Sequence, residues 1–206
     1  MIDEQREKPK GKPMSVPLIV AITGASGVIY GVETLRVLKE LGQETHLILS
    51  EAAGMTLAIE TEYSLDQVRS LADVVYNNKD VGAAVASGSF LTRGMIVVPC
   101  TIKTLSAIAN SFPYNLVARA ADVTLKEGRK LVLMVRETQL HKGHLDLMSR
   151  AADCGAVILP PMPAFYHQPQ SVLDIIHQSI GKALDQVGIE HNLFKRWTGR
   201  ESADQR

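Results

Sequence analysis

The chain has 206 residues, 46% of them hydrophobic, with 22 basic and 22 acidic side chains and therefore no net charge. A chain of this size and apolar content can bury a three-layer core as one domain, and its neutrality excludes a broad electrostatic attraction to nucleic acid or to an anionic membrane surface. Its two cysteines are too few for a disulfide framework and agree with a reducing compartment, the cytoplasm; no apolar run reaches bilayer length, and the N-terminus lacks the apolar core of a signal peptide.

Residues 1–16 carry clustered charges and prolines (Glu4, Arg6, Glu7, Lys8, Pro9, Lys10, Lys12, Pro13) and read as a disordered lead-in, within which Met14 offers an alternative start. The folded domain is expected over residues 17–199, with 200–206 as a tail. Its first strand, Leu18–Thr23, is an apolar run that stops at Gly24-Ala25-Ser26-Gly27 and feeds a helix over Ile29–Leu41. That order aims unpaired N–H groups and the positive end of the helix dipole at the turn, which favours a phosphate, with the Ser26 hydroxyl as a further donor. The alternative is a tight bend made of glycine. Gly24, Gly27 and Gly31 are spaced G-x-x-G-x-x-x-G, not as the G-x-G-x-x-G of dinucleotide-binding folds. The second strand, Glu44–Leu49, ends at Ser50, placed to reach a phosphate or a flavin edge, where an NAD site usually carries an acidic residue. No Tyr-x-x-x-Lys pair occurs, so hydride transfer is disfavoured.

Helices follow at Glu51–Glu60 and Leu65–Leu71, then strands at Met95–Val98, Leu131–Val135 and Val157–Leu159 alternate with helices at Thr104–Ala109, Leu116–Lys126, Leu145–Ala152 and Val172–Val187. This alternation predicts a three-layer α/β domain, a Rossmann/flavodoxin-like parallel sheet with helices on both faces. Right-handed crossovers would gather the carboxyl ends of the strands at one ligand-binding edge.

Several loops carry chemistry. Ser87-Gly88-Ser89 suits a phosphate, and Pro99-Cys100-Thr101-Ile102-Lys103-Thr104 is a second strand-to-helix turn; either is also an ordinary cap. Cys100 is favoured as small apolar packing over a nucleophile. Arg119 and Lys126, seven apart, share a helix face and form either a phosphate clamp or a solvated surface. Arg136-Glu137 at a strand end is a surface pair or an acid/base and phosphate-binding pair. His141 and His144 lack a third ligand at a recognisable spacing, so a solvated first turn is favoured and no metal is expected. The stiff loop Pro160–Ser171 presents Phe165 and Tyr166, and the lone Trp197 is expected to be buried against a neighbour or to offer a π face to a cation.

Taken together, Thr23-Gly24-Ala25-Ser26-Gly27, Glu60-Thr61, Ser87-Gly88-Ser89, Pro99-Cys100, Arg119 to Glu127, Val135-Arg136-Glu137, Pro163 to Ser171 and Arg196-Trp197 resemble the UbiX flavin prenyltransferases. The resemblance runs from about Val16 to Gly199. It implies that the chain binds reduced FMN, alkylates its N5 and C6 with a dimethylallyl group from dimethylallyl monophosphate, and supplies prenylated FMN to a UbiD-type decarboxylase. By the same resemblance Gly24, Ala25, Ser26, Ser50, Thr101, Ile102, Lys103, Thr104 and Arg136 would hold FMN. Ser87, Arg119, Lys126, Glu137, Tyr166 and Lys182 would surround the prenyl phosphate, although many relatives have arginine where Lys182 stands, and lysine cannot grip bidentately. Arg119, Lys126 and Lys182 would neutralise the leaving phosphate, Glu137 would pass it a proton, Trp197 would face the allyl cation and Glu60 would assist proton transfer at the second bond, with no metal. The family's site forms between subunits of a homododecamer, so Tyr166, Lys182 and Trp197 would serve a neighbour's flavin. Two rivals stand beside this reading: a non-catalytic FMN carrier, and an FMN-dependent cysteine decarboxylase of similar fold, whose Asn-bearing turn is replaced here by Thr101-Ile102-Lys103-Thr104.

Overall fold

In chain order, a computed structural model describing residues 16–199 gives β1 (Leu18–Ile22), α1 (Val28–Glu40), β2 (Thr45–Leu49), α2 (Glu51–Glu60), α3 (Leu65–Arg69), β3 (Val74–Asn77) and β4 (Gly94–Cys100). Then come α4 (Ile102–Ala109), α5 (Leu116–Lys126), β5 (Lys130–Val135), α6 (Lys142–Asp153), β6 (Val157–Ile158) and α7 (Val172–Gln186). The expected lead-in, Val16 apart, and the tail lie outside the described residues.

All strand pairings are parallel and the sheet order is β3-β2-β1-β4-β5-β6. The order reverses between β1 and β4, and in such sheets ligands sit outside the carboxyl ends at that switch point. Alternation along the strands divides the core between the faces. Leu18, Val20, Ile22, Ile96, Val98, Val132 and Met134 pack under α1, α2, α3 and α7; Ile19, Ala21, Met95, Val97, Leu131, Leu133 and Val135 pack under α4, α5 and α6.

The expected Rossmann-like architecture is therefore present, with differences at its margins. β3 was not expected; it is a four-residue edge strand with Val75 41% exposed, so it lacks the buried apolar run that marks the inner strands. α4 and α6 begin earlier than their apolar periodicity suggests, because Thr101 and His141 cap them by accepting the N–H groups of Thr104 and Gly143. A 3-10 turn at Ala84–Ala86 leads into Ser87.

Two features hold α1 where the site needs it. Gly31 faces the sheet so closely that a Cβ there would lie 2.6 Å from the Val98 carbonyl oxygen and 2.9 Å from Ile22. Glu33, nearly fully buried, is forked by Arg36 (2.7 Å) and met by His177 Nε2 at 3.2 Å, which ties α1 to α7. Burial pushes the Glu33 carboxyl up, but hydrogen bonds and charge from Arg36 and His177 outweigh it and hold the pKa below the usual range.

Gly31→Ala is expected to destabilise the fold by about 1–3 kcal/mol, because backbone and not a flexible side chain must give way. A chemical-denaturation midpoint unchanged from wild type would contradict the close-approach argument.

Candidate functional site

At the switch point the Thr23 hydroxyl joins the two central strands: it donates to the Pro99 carbonyl at 2.7 Å and accepts from Thr101 N–H at 2.9 Å. This fixes the turn after β1 beside the turn after β4. Gly24 lies against the first turn of α2, and a Cβ there would overlap Ala52. Ser50 N–H donates to Ile22 O at 3.1 Å, which brings the β2 end into the same cluster. The carboxyl-edge residues Gly24, Ala25, Ser26, Ser50 and Thr101 thus gather in one place.

The N-terminus of α1, however, is already taken. Glu60, at the far end of α2, accepts from Gly27 N–H at 2.8 Å and Val28 N–H at 3.1 Å. Burial raises its pKa, but hydrogen bonds from Ser26, Gly27 and Val28 and the charge of Arg136 outweigh that and hold the carboxyl below the usual range. The expectation that these N–H groups cradle a phosphate is corrected: a carboxylate of the chain occupies them, as the dipole end favours. A sequence cannot show this, since the two partners are 33 residues apart.

The N-terminus of α4 differs. Thr101 Oγ1 accepts from Thr104 N–H (3.2 Å) and contacts the Thr104 hydroxyl (3.0 Å), which leaves the N–H groups of Ile102 and Lys103 without partners inside the helix. Unpaired donors at a helix start fit a phosphate. The Lys103 side chain turns elsewhere, its ammonium 5.1 Å from the centre of the Tyr114 ring at the wall of a cavity of about 380 Å³ shared with Phe112 and Asn110, so backbone and not charge is what Lys103 offers here. Ser50 is half committed, its hydroxyl oxygen accepting from Ala53 N–H at 3.1 Å. Cys100 is fully buried, and burial pushes its thiol up to about 12, so it packs and does not attack. Beyond β5, Arg136 and Glu137 are exposed, and Glu137 Oε1 accepts from Thr138 N–H at 2.9 Å.

A second cluster forms around Ser87. Arg119 Nε donates to the Ala86 carbonyl at 3.2 Å, and a Cβ on Gly88 would lie 2.8 Å from Lys126 Nζ. Lys126 pairs with Glu127, whose carboxyl that ammonium holds below the usual range. Sequence reasoning missed Arg129, which pins this loop by donating to the carbonyls of Gly88 (2.7 Å) and Phe90 (2.8 Å). Ser87, Arg119 and Lys126 thus converge. Lys126 precedes the amino end of β5, whereas Arg136 and Glu137 follow its carboxyl end, so one six-residue strand separates the two groups. That separation is roughly 20 Å at about 3.3 Å per residue.

A third cluster lies on α7. Tyr166 and Trp197 meet edge to face with ring centroids 6.3 Å apart, and Lys182 lies 3.8 Å from Asp185, which also takes Arg196 in a fork. Trp197 is 64% exposed within the single chain, which leaves its π face open. His141 spends Nδ1 on its own cap, and its ring lies 3.7 Å from that of His144.

A family model described as Flavoprotein matches residues 6–181. The chain is 56% identical over 187 residues to the flavin prenyltransferase UbiX of Thauera aromatica, covering 91% of this chain and 96% of that protein. The crystal structure of AnUbiX (PadA1) in complex with FMN and dimethylallyl pyrophosphate superposes with a TM-score of 0.88 at 48% identity, over 90% of this chain and 99% of that one. A dodecameric FMN-dependent UbiX-like decarboxylase from Escherichia coli O157:H7 gives 0.87 at 48% identity, over 89% and 100%.

Because the folded-state pKa of Glu60 is depressed, its contribution to stability is fully present above the ordinary carboxylate range and is lost as pH falls through the folded value. Glu60→Gln is therefore expected to flatten the acid side of the stability–pH curve, measured by thermal unfolding between neutral pH and pH of about 3. Parallel curves for variant and wild type would contradict the capping role.

Proposed function

The chain belongs to the UbiX family of flavin prenyltransferases, and on that premise we propose that it transfers a dimethylallyl group from dimethylallyl monophosphate to N5 and C6 of reduced FMN. The product, prenylated FMN, would pass to a UbiD-type decarboxylase. FMN supplies the nucleophilic ring atoms; the protein supplies place, charge and protons.

The observation that carries this reading is the division of the site into clusters with complementary chemistry. The carboxyl edge of the sheet offers free N–H groups at Ile102 and Lys103, close backbone approach at Gly24 and the cation of Arg136, a set that fits a flavin phosphate and ring edge. The Ser87 cluster and the α7 cluster offer Arg119, Lys126 and Lys182, which fit a second, leaving phosphate. A monophosphate leaves slowly unless its growing charge is met, and three cations with the Tyr166 hydroxyl meet it without a metal. Glu137, exposed and accepting a neighbouring N–H, would relay to the departing phosphate oxygen the proton that reduced FMN loses from N5 on alkylation. Trp197 presents an exposed π face to the allylic cation. Glu60, ionised and hydrogen-bonded to Ser26, Gly27 and Val28, would have to give up one of those bonds to accept a proton as the second bond closes.

Since Lys126 and Glu137 stand at opposite ends of β5, the clusters unite only between copies, which supports a homo-oligomer, as a dodecamer by analogy with the E. coli relative. Exposed apolar side chains at Met55, Ile59, Met162 and Phe165 fit such contacts. Among the described residues no helix is long and apolar enough to cross a membrane, and both cysteines are free thiols, in keeping with a cytoplasmic setting.

Anaerobic incubation with reduced FMN and dimethylallyl monophosphate is expected to release a flavin heavier by one five-carbon unit. Glu137→Gln should lower that rate by about two orders of magnitude while FMN still binds. Unmodified flavin from wild type would favour a carrier; full activity in the variant would remove Glu137 from the mechanism.

A further inference from the structure

Asp185 gathers more charge than any acidic residue around it. Its two carboxylate oxygens take Arg196 Nη1 at 3.0 Å and Nη2 at 2.7 Å, its Oδ1 lies 3.1 Å from His191 Nε2, and Lys182 Nζ stands 3.8 Å from Oδ2. The fork is planar recognition of the kind only arginine makes. Hydrogen bonds and charge from Arg196 hold the Asp185 carboxyl below the usual range, so it is ionised at neutral pH.

The fork anchors more than a surface arginine. Arg196 directly precedes Trp197, and its guanidinium also lies 5.4 Å from the Phe194 ring centre, so the segment is pinned where Trp197 meets the edge of Tyr166. His191 reinforces the hub from below: its ring is almost wholly buried, accepts from Leu193 N–H at 3.2 Å and lies 2.8 Å from the Gly181 carbonyl. At 3.8 Å the Lys182 contact is an ion pair without a tight hydrogen bond, so that ammonium can be given up to a better anion.

We propose that Asp185 is a positioning residue for prenyl transfer: through its fork with Arg196 it fixes the Trp197 ring beside Tyr166, and it holds Lys182 as a counter-ion until the substrate phosphate takes that ammonium over. The proposal rests on the roles given to Lys182 and Trp197 above. It adds that the π face and the phosphate-binding cation are set by a single carboxylate.

Trp197 is the chain's one tryptophan, so its fluorescence reports this segment alone. In wild type the anisotropy should decay mainly with tumbling of the whole particle. Asp185→Asn, which removes the charge at equal size, should add a nanosecond component and lower the residual anisotropy by roughly half. It should also cut kcat about tenfold with FMN stoichiometry, which counts folded sites, unchanged. Arg196→Lys keeps the charge but breaks the fork, and is expected to free Trp197 in the same way; it carries the test should Asp185→Asn fail to fold. Unchanged anisotropy in the folded variants, or full kcat with a mobile Trp197, would overturn the proposal. The anisotropy needs no turnover, so a wild type that fails to prenylate flavin would overturn the proposed function while the fork remains readable.

Discussion

One rigid strand governs how this site can work. β5 runs six residues as an inner strand of the parallel sheet, between β4 and β6, with Leu131–Val135 entirely enclosed, and it separates the groups before it from the groups after it. Lys126 and the Ser87 turn belong to the approach, Arg136 and Glu137 to the exit. On the function proposed above, a flavin at the exit and a phosphate at the approach would meet where another copy of the chain presents its approach end.

The exit side is set by hydrogen bonding at the switch point. Thr23 bridges Pro99 and Thr101, Gly24 admits the first turn of α2, and Glu60 reaches back along that helix to close the N-terminus of α1. Of the three helix N-termini gathered there, that of α1 is filled by the protein's own carboxylate, while Ser50 on α2 and Thr101 on α4 each accept one N–H and leave the first two N–H groups of their helices for an outside anion.

The inner strands and most helices were legible in the sequence because burial on both faces writes continuous apolar runs such as Leu18–Ile22, and helix periodicity marks α1, α5 and α7. β3 was not, since an exposed edge strand needs no such run. The candidate site residues could be named from the sequence, but their grouping could not. Spacing placed Arg119 and Lys126 on one face and the structure keeps them together at Ala86–Gly88, yet nothing in the spacing shows that Lys126, at the far end of α5, lies toward the opposite edge from Arg136. Partners far apart in sequence stayed hidden for the same reason: Glu60 with Gly27, and Arg129 with Gly88.

The account's central claim, a site completed by a second copy, is tested most directly by mixing two inactive chains. Glu137→Gln spoils the exit side and Lys126→Ala the approach side; co-expressed with different tags and purified as mixed assemblies, they should recover prenyl transfer, because some sites then combine an intact Glu137 from one copy with an intact Lys126 from another. Mixed assemblies, verified by native mass spectrometry, that stay as inactive as either parent would contradict it and place both residues in one chain's site.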